Sequence, residues 1–398
     1  MIAYPDAVVR LLAECRTLAS ESVGLDEAAG RILAADVVSP LSLPGFDNAA
    51  MDGYALQASG ASIPAGTRHR VAAMHAAGDG APAYPDAACC EIATGARMPA
   101  GFDTVVPLER CERDGDHVLF LADEPRGQNV RTAGADIRAG DPALQAARRI
   151  DAASVMLLAA LGIDRIEVVR RPRIAVIATG SELHPAGALP AGGIHDSNGP
   201  FLVASLARWG VDLVVRRRVP DVGTAFHDAM AEARAADADL IVTTGAVSAG
   251  RFDFVPATLD SLGARTLFHK VAMRPGKPLL AARFDNGPLV IGLPGNPMAV
   301  AVGYRFFVAP VLRALAGLSP ERSQRVRVAQ GATLRGGQHH FALGRFTDDT
   351  EGDRLATLMP AQAAYRIVPY TQAETWLSAA DAIGGTVDAW PLDPADAR

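Results

Sequence analysis

Near the start of the chain, apolar positions recur at a helical spacing. Val8, Leu11, Leu12, Cys15 and Leu18 fall on one face, and Pro5 and Asp6 suit a first turn, so an opening helix is expected. Residues 31–38 read as extended until Pro40 and Pro44 interrupt them. From 56 to 142, short apolar stretches alternate with Gly, Pro and Asp, a β-rich pattern with turns such as Asp114-Gly115. The spacing then predicts a helix over 151–161 with Asp151 as its cap.

Beyond Pro172 the period changes. Residues 174–178 are an apolar run of the buried-strand kind and 213–219, 240–244 and 289–292 also read as strands, while 201–209, 224–236, 254–262 and 297–315 read as helices. Strands alternating with helices predict a parallel sheet wrapped by helices. From about 320 the pattern is β-like again, with strands expected at 325–328 and 341–346. The last residues, from Asp393, read as a frayed tail. The fold class is α/β multidomain.

Composition narrows this further. The chain has 398 residues, 49% hydrophobic and 21% charged, enough apolar material for two to four globular domains. A net charge of -6 gives no basic footprint for nucleic acid or an anionic membrane. No apolar signal core opens the chain, and the longest apolar run, near 155–163, is too short for a bilayer, so a soluble protein is expected. Cys15, Cys89, Cys90 and Cys111 form no CxxC pair; buried or inert thiols in a reducing cytoplasm are expected.

Ligands of an open parallel sheet bind beyond the carboxyl ends of its strands. Three of the expected strands run into glycine-bearing loops: Thr179-Gly180-Ser181-Glu182-Leu183, then Gly245-Ala246-Val247-Ser248-Ala249-Gly250 followed by Asp253, then Leu293-Pro294-Gly295-Asn296-Pro297. Glycines let backbone N–H groups approach an anion, and helix N-termini favour it, so three such loops at one edge point to a phosphate-bearing ligand. Glu182 and Asp253 beside that ligand would repel it unless a cation such as Mg²⁺ lies between. Asp221 belongs to the same edge by position; it either caps the next helix or shares this role.

Met273-Arg274-Pro275-Gly276-Lys277-Pro278 places two cations around a proline-stiffened turn, with Lys270 just upstream. This suits an oxyanion or phosphate, or a solvated surface turn. Residues 46–54, with Asp47 and Asp52, and residues 92–99, with Thr94, read as loops; Asn129-Val130-Arg131 adds a cation. His195, His269, His339 and His340 follow no ligand pattern and read as surface or packing residues.

Taken together, residues 46–54, 94–99, 129–131, 179–183, 196–198, 245–253, 270–278 and 292–297 resemble, in order and spacing, the MoeA-type molybdopterin molybdenumtransferases, whose eukaryotic relatives include the E domain of gephyrin. The resemblance runs from the N-terminus to about residue 318. It implies a helical segment (1–25 and 138–171), an inserted β-rich domain (26–137), a doubly wound MogA-like α/β domain (172–318) and a C-terminal β-barrel (319–398). It further implies a homodimer whose active site lies between the α/β domain of one subunit and the β-rich domain of the other. The implied reaction takes adenylyl-molybdopterin and molybdate, cleaves the phosphoanhydride with Mg²⁺, releases AMP and leaves molybdenum on the dithiolene. By the same resemblance, Glu182 and Asp253 handle Mg²⁺ and phosphate with Asp52 beside them. Thr94, Arg131, Ser197, Asp221, Gly245 and Ser248 line the cleft, Lys270, Arg274 and Lys277 meet molybdate and the pterin phosphate, and Pro294 and Pro297 shape the floor.

Some positions depart from the family pattern. Ser181 stands for an aspartate, Ala246 for a glycine, Arg274 for a lysine and Ala299 for a serine, and the family's Gln-Gly-Ser-Gly stretch is matched to Gln372-Ala373-Glu374-Thr375, placing an acid near an anion site. These departures keep a second reading open: a divergent paralogue that binds the pterin nucleotide as a carrier. A third, an adenylyltransferase of molybdopterin, fits the four-domain plan less well.

Overall fold

The computed structural model describes residues 1–80, 83–84, 89–247, 254–329, 332–333, 336–348, 354–380 and 382–396. The chain divides into two compact units, one of residues 1–21, 30–34 and 167–398 and a smaller one of residues 22–29 and 35–166.

At the centre of the larger unit lies a six-stranded sheet of β1 (Arg173–Thr179), β2 (Asp212–Val219), β3 (Leu240–Thr244), β4 (Ala264–His269), β5 (Leu280–Phe284) and β6 (Leu289–Leu293), in the order β2-β1-β3-β6-β5-β4. Helices Asn198–Ala207, Gly223–Ala235 and Val255–Ser261 follow β1, β2 and β3. Strand β1 shows why a central strand reads as an unbroken apolar run, as edge strand β2, with Arg216, Arg217 and Arg218 exposed, does not. Ile174 and Val176 enter one core with Leu202, Leu206 and Val300, while Ala175 and Ile177 enter the other with Phe226, Met230 and Leu259. A strand covered on both faces buries every side chain, so no alternation survives in its sequence.

One edge of the sheet departs from the all-parallel expectation. Strands β2, β1, β3 and β6 are parallel, but β5 pairs antiparallel with β6 and β4 antiparallel with β5. Only residues 285–288 join β5 to β6, too few for a crossover helix. Two reversals restore the original direction. Strand β4 therefore ends at the same sheet edge as β1, β3 and β6, and delivers Lys270 there.

Pro297–Gly303, a π turn at Tyr304–Val308 and Ala309–Leu315 form one continuous helix, 89% buried. The π turn precedes Pro310, which has no N–H to donate to the helix ladder. Among the described residues this is the one helix long and apolar enough to cross a bilayer, yet it packs inside the protein. Its Arg305 is buried, donating to Glu321 at 2.7 Å and to the Pro391 carbonyl at 2.9 Å.

Strands His339–Asp348, Arg354–Leu358, Gln324–Val328, Thr386–Pro391 and Thr375–Ala379 pair in that order, and the last pairs back with the first, closing the expected C-terminal barrel. The short strand Val271–Arg274 joins His339–Asp348 on one side and Ile2–Ala3 on the other. The opening helix, Tyr4–Leu12, packs Ala7 and Leu11 into the same core, with Val8, Leu12, Cys15 and Leu18 against it. The terminal residues do not fray from Asp393: they form a turn at Pro394–Asp396.

The smaller unit holds a second six-stranded sheet, ordered Cys111–Asp114, His117–Phe120, Arg68–His75, Cys89–Ile92, Gly53–Leu56, Thr104–Pro107. Alternation sends Tyr54, Leu56 and Cys89 into one cluster and Ala55, Cys90 and Ile92 into another. Neighbours on opposite faces cannot bond to each other, and all four cysteines are free. Burial pushes the Cys89, Cys90 and Cys111 thiols up to about 12 and Cys15 up to about 11, so they stay protonated. Helix Ala152–Ala160 is capped as expected, Asp151 accepting from the Ser154 N–H at 2.8 Å.

Candidate functional site

In the larger unit, the parallel strands end in loops stitched to one another. The Thr179 hydroxyl donates to the Thr244 carbonyl at 3.0 Å, the Gly245 N–H to Leu293 at 3.0 Å, and the Gly180 N–H to Val219 at 3.1 Å. Strand order alone brings Gly180, Gly245 and Pro294 to one edge. Gly245 has φ +88°, and a Cβ on it would lie 2.5 Å from the Thr179 carbonyl oxygen, so the close approach demands glycine. Ala246 follows at φ +49°, a left-handed conformation costly for a side chain. Asn198, which the sequence reading did not single out as a lone contributor, donates to the Gly295 carbonyl at 2.7 Å and ties the start of helix Asn198–Ala207 to the third loop. Asp196 rather than Ser197 caps that helix, accepting from the Gly199 N–H at 2.9 Å; Ser197 is exposed and makes no cap hydrogen bond. Pro294 is buried and Pro297 half-buried as the first residue of its helix.

The acidic side of this edge is a turn built by Ser181 and Asp221. The Ser181 N–H donates to the Asp221 carboxylate at 3.2 Å, and the Asp221 N–H to the Ser181 hydroxyl at 3.0 Å. Asp221 is thus held to the first loop, and Ser181 has a positioning role that its type makes possible. Glu182 is exposed and folds its carboxylate over Gly180. Asp253 and Ser248 lie outside the described residues. Among the described residues, no group of three His, Cys, Asp or Glu side chains could hold a metal ion. Mg²⁺ does not require one: it commonly takes one or two carboxylates, with waters and substrate phosphates completing the shell. Glu182 in the first loop and Asp221, hydrogen-bonded to that loop's Ser181, are hard oxygen donors of the kind that need calls for.

The cationic segment is rigid. Val271 N–H donates to the Lys277 carbonyl at 2.9 Å and Lys270 N–H to Leu279 at 3.0 Å, closing the turn at both levels. Lys270 sits at φ +71°, and Arg274 lies in register with His340 of the barrel. A cavity of about 820 Å³ opens here, lined by Arg274, Lys277, Pro294, Asn296, Ala299 and, from the barrel side, Gln338, His340 and residues 362–366. Arg274, Lys277 and Arg366 line it, and among the described residues no carboxylate does. Lys270 is outside this lining. The matched stretch Gln372-Ala373-Glu374-Thr375 is not at the cavity either: the Glu374 carboxylate accepts from the Phe346 N–H at 2.7 Å, on the barrel wall. The glutamine-led segment that faces the cavity is Gln362-Ala363-Ala364-Tyr365. Nothing in local sequence distinguishes the two; barrel closure does.

Among the histidines, His269 bonds the Val247 carbonyl at 2.8 Å and exposed His195 the Pro185 carbonyl at 2.9 Å. Burial takes His339 down to about 4, stacked 4.5 Å from Tyr4. His340 is also buried but belongs to the cavity lining.

In the smaller unit, three segments distant in sequence converge. Val130–Arg131 pairs with Asn48–Ala49, and Asn48 bridges to Arg97. The Asp52 carboxylate accepts from the Thr94 N–H at 2.7 Å and its hydroxyl at 2.9 Å, and these two bonds hold Asp52 below the usual carboxylate range. Arg131 donates to the Ala50 carbonyl at 3.3 Å, and Arg97 lies over the Phe46 ring at 5.4 Å. A side chain at Gly53 would overlap the Val106 carbonyl, so the segment carrying Asp52 packs flat on its neighbour strand. Asp52, Thr94 and Arg131 thus form one polar, exposed face.

The sequence and structure were compared with known proteins. Residues 2–162 match the family described as MoeA N-terminal region (domain I and II), and residues 175–314 the family described as "Probable molybdopterin binding domain". The chain is 39% identical over 324 residues to a molybdopterin molybdenumtransferase of Synechococcus elongatus, covering 79% of this chain and 80% of that one. It is 36% identical to a molybdopterin molybdenumtransferase 2 of Mycobacterium tuberculosis, over 81% of each. A solved molybdopterin biosynthesis MoeA protein from Pyrococcus horikoshii superposes with a TM-score of 0.81 over 98% of this chain and 99% of that one, at 24% identity, a likeness of fold.

Proposed function

The chain belongs to the molybdopterin molybdenumtransferase family, and from that premise we propose that it inserts molybdate into adenylyl-molybdopterin with Mg²⁺, releasing AMP. The observation that carries this is the cation cavity beside the Pro294 loop, lined among the described residues by no acid, at a sheet edge whose other loops carry Gly180, Gly245 and Glu182. An anion is drawn to one end of that edge, and a diphosphate with its counter-ion suits the other. In the reaction a water oxygen attacks phosphorus, the phosphoanhydride P–O bond breaks and AMP departs, and the two dithiolene thiols bind molybdenum as one oxygen of molybdate takes their protons and leaves as water.

Each part of the edge has a task. The backbone at 179–182 and 245–247 receives the phosphates, because glycines at 180 and 245 allow the approach. Arg274 and Lys277 hold the oxyanion against its own charge, with Lys270 just upstream. Glu182, Asp221 and Asp253 would hold Mg²⁺, which when bound neutralises charge developing on the cleaved phosphate. The stiff turn 270–279 keeps the cations in place, so little order is lost on binding. We further propose a homodimer in which the Asp52, Thr94 and Arg131 face of one protomer serves the nucleotide of its partner, in the reducing cytoplasm that four free thiols suit.

Purified protein given adenylyl-molybdopterin, Mg²⁺ and molybdate should release AMP. Binding without release would support the carrier reading, which Ala299 in the cavity wall favours and Glu374, away from it, does not. ATP consumption with free molybdopterin would support the adenylyltransferase. Glu182→Ala and Asp253→Ala should each abolish turnover; full AMP release by both would remove the metal-site assignment.

A further inference from the structure

The cation cavity carries more positive charge than the motif at 270–278 accounts for. Residues 362–366 form part of its wall and are pinned in place. The Gln362 amide accepts from the Leu343 N–H at 2.7 Å and donates to the Leu343 and Met359 carbonyls at 3.0 and 2.9 Å. The Ala364 carbonyl accepts from the Met298 N–H at 3.0 Å, and the Arg366 N–H closes a turn onto Ala363 at 3.0 Å. Gln362 is therefore spent on structure. Ala299, Ala363 and Ala364 line the cavity without a side-chain donor.

Arg366 differs. Its side chain has no hydrogen bond or ion pair among the described residues, and it shares the cavity with Arg274 and Lys277, which have none either. All three side chains are exposed, so solvent damps their mutual repulsion without removing it, and among the described residues no acid lines the space they share. A dianion bound between them removes that repulsion. A guanidinium also offers paired donors matched to neighbouring oxygens of a tetrahedral oxyanion.

We propose that Arg366 is a substrate-binding residue, donating to the oxyanion that Arg274 and Lys277 hold and supplying from the barrel what the alanines at 299 and 364 do not. The inference rests on the function proposed above. It explains how a cavity without a hydroxyl at 299 keeps a full set of donors, with the third cation borne on the C-terminal barrel.

The test is molybdate binding to the full chain by titration calorimetry, for wild type, Arg366→Ala, Arg366→Lys and, as a charge control, Arg216→Ala, exposed on β2. Arg366→Ala should weaken binding about tenfold, the order expected of one charge-assisted hydrogen bond at a part-solvated site. Arg366→Lys should lose about threefold, keeping charge without the paired donors. In the AMP-release assay the KM for molybdate should rise by the same factor as Kd, with kcat at saturation unchanged. Wild-type affinity in Arg366→Ala, or an equal loss in Arg216→Ala, overturns the inference. If wild type neither binds molybdate nor releases AMP, the functional reading fails and this falls with it. If wild type does both while Arg366→Ala matches it, this inference alone fails.

Discussion

Gly245→Ala probes the sheet edge most directly. The residue has φ +88°, outside the range a side chain tolerates easily, and imposing a left-handed conformation on alanine costs about 1–2 kcal/mol. The new Cβ would also lie 2.5 Å from the Thr179 carbonyl oxygen and 2.6 Å from its hydroxyl. Neither neighbour is free to yield. Thr179 is buried, its hydroxyl donates to Thr244, and β1 is laddered to strands on both sides. Forcing the strand ends apart adds an overpacking cost of about 1–3 kcal/mol. The sum, about 2–5 kcal/mol, should lower Tm by about 5–15 °C in a unit of this size. The displacement falls on both glycine-bearing loops at once, so AMP release should drop on the order of 100-fold, as for a misplacement near 1 Å. Thermal unfolding and AMP release on one preparation test both numbers. A variant melting within about 1 °C of wild type with full turnover would refute the close-packed edge, since strain of this size cannot be silent.

Three further changes test other parts of the structure. Ala246→Gly removes left-handed strain of about 1–2 kcal/mol against an entropic cost of about 0.5–1, so stability should rise by up to about 1 kcal/mol; a lower denaturation midpoint would count against it. Glu321→Ala strands the buried Arg305 guanidinium and should cost about 3–5 kcal/mol, while Glu321→Gln, which keeps an acceptor, should cost less; equal loss in chemical denaturation would show that the pair is not the cause. Asp52 titrates below an unfolded aspartate in the folded protein. Its bonds to Thr94 therefore contribute stability that is present above the unfolded value, near 4, and fades as pH falls through the lower folded value. Thr94→Val keeps the N–H but removes the hydroxyl, so the Asp52 carboxyl signal in NMR should move up toward the free value; no movement would show that the hydroxyl is not a cause.

Local information was enough for much of the protein. Continuous apolar runs named β1, β3 and β6 because burial on both faces leaves no alternation, whereas edge strand β2 keeps Arg216, Arg217 and Arg218 exposed. The helical period named Tyr4–Leu12 and the buried helix from Pro297, and strand-end glycines named the edge where Gly180, Gly245 and Pro294 meet. Tertiary structure decided what depends on distant neighbours. Strands β4 and β5 turn antiparallel because the link to β6 is short, and that reversal brings Lys270 to the edge. Closure of the barrel set Gln362–Ala364 at the cavity and sent Glu374 to a strand amide; two glutamine-led segments are indistinguishable until a sheet closes on itself. The hydrogen bonds that lower Asp52 likewise came from Thr94, forty-two positions away. Spacing along a chain reports which face a residue occupies; which groups share a cavity, and so which charges must be answered by a ligand, is fixed only when non-local strands pair.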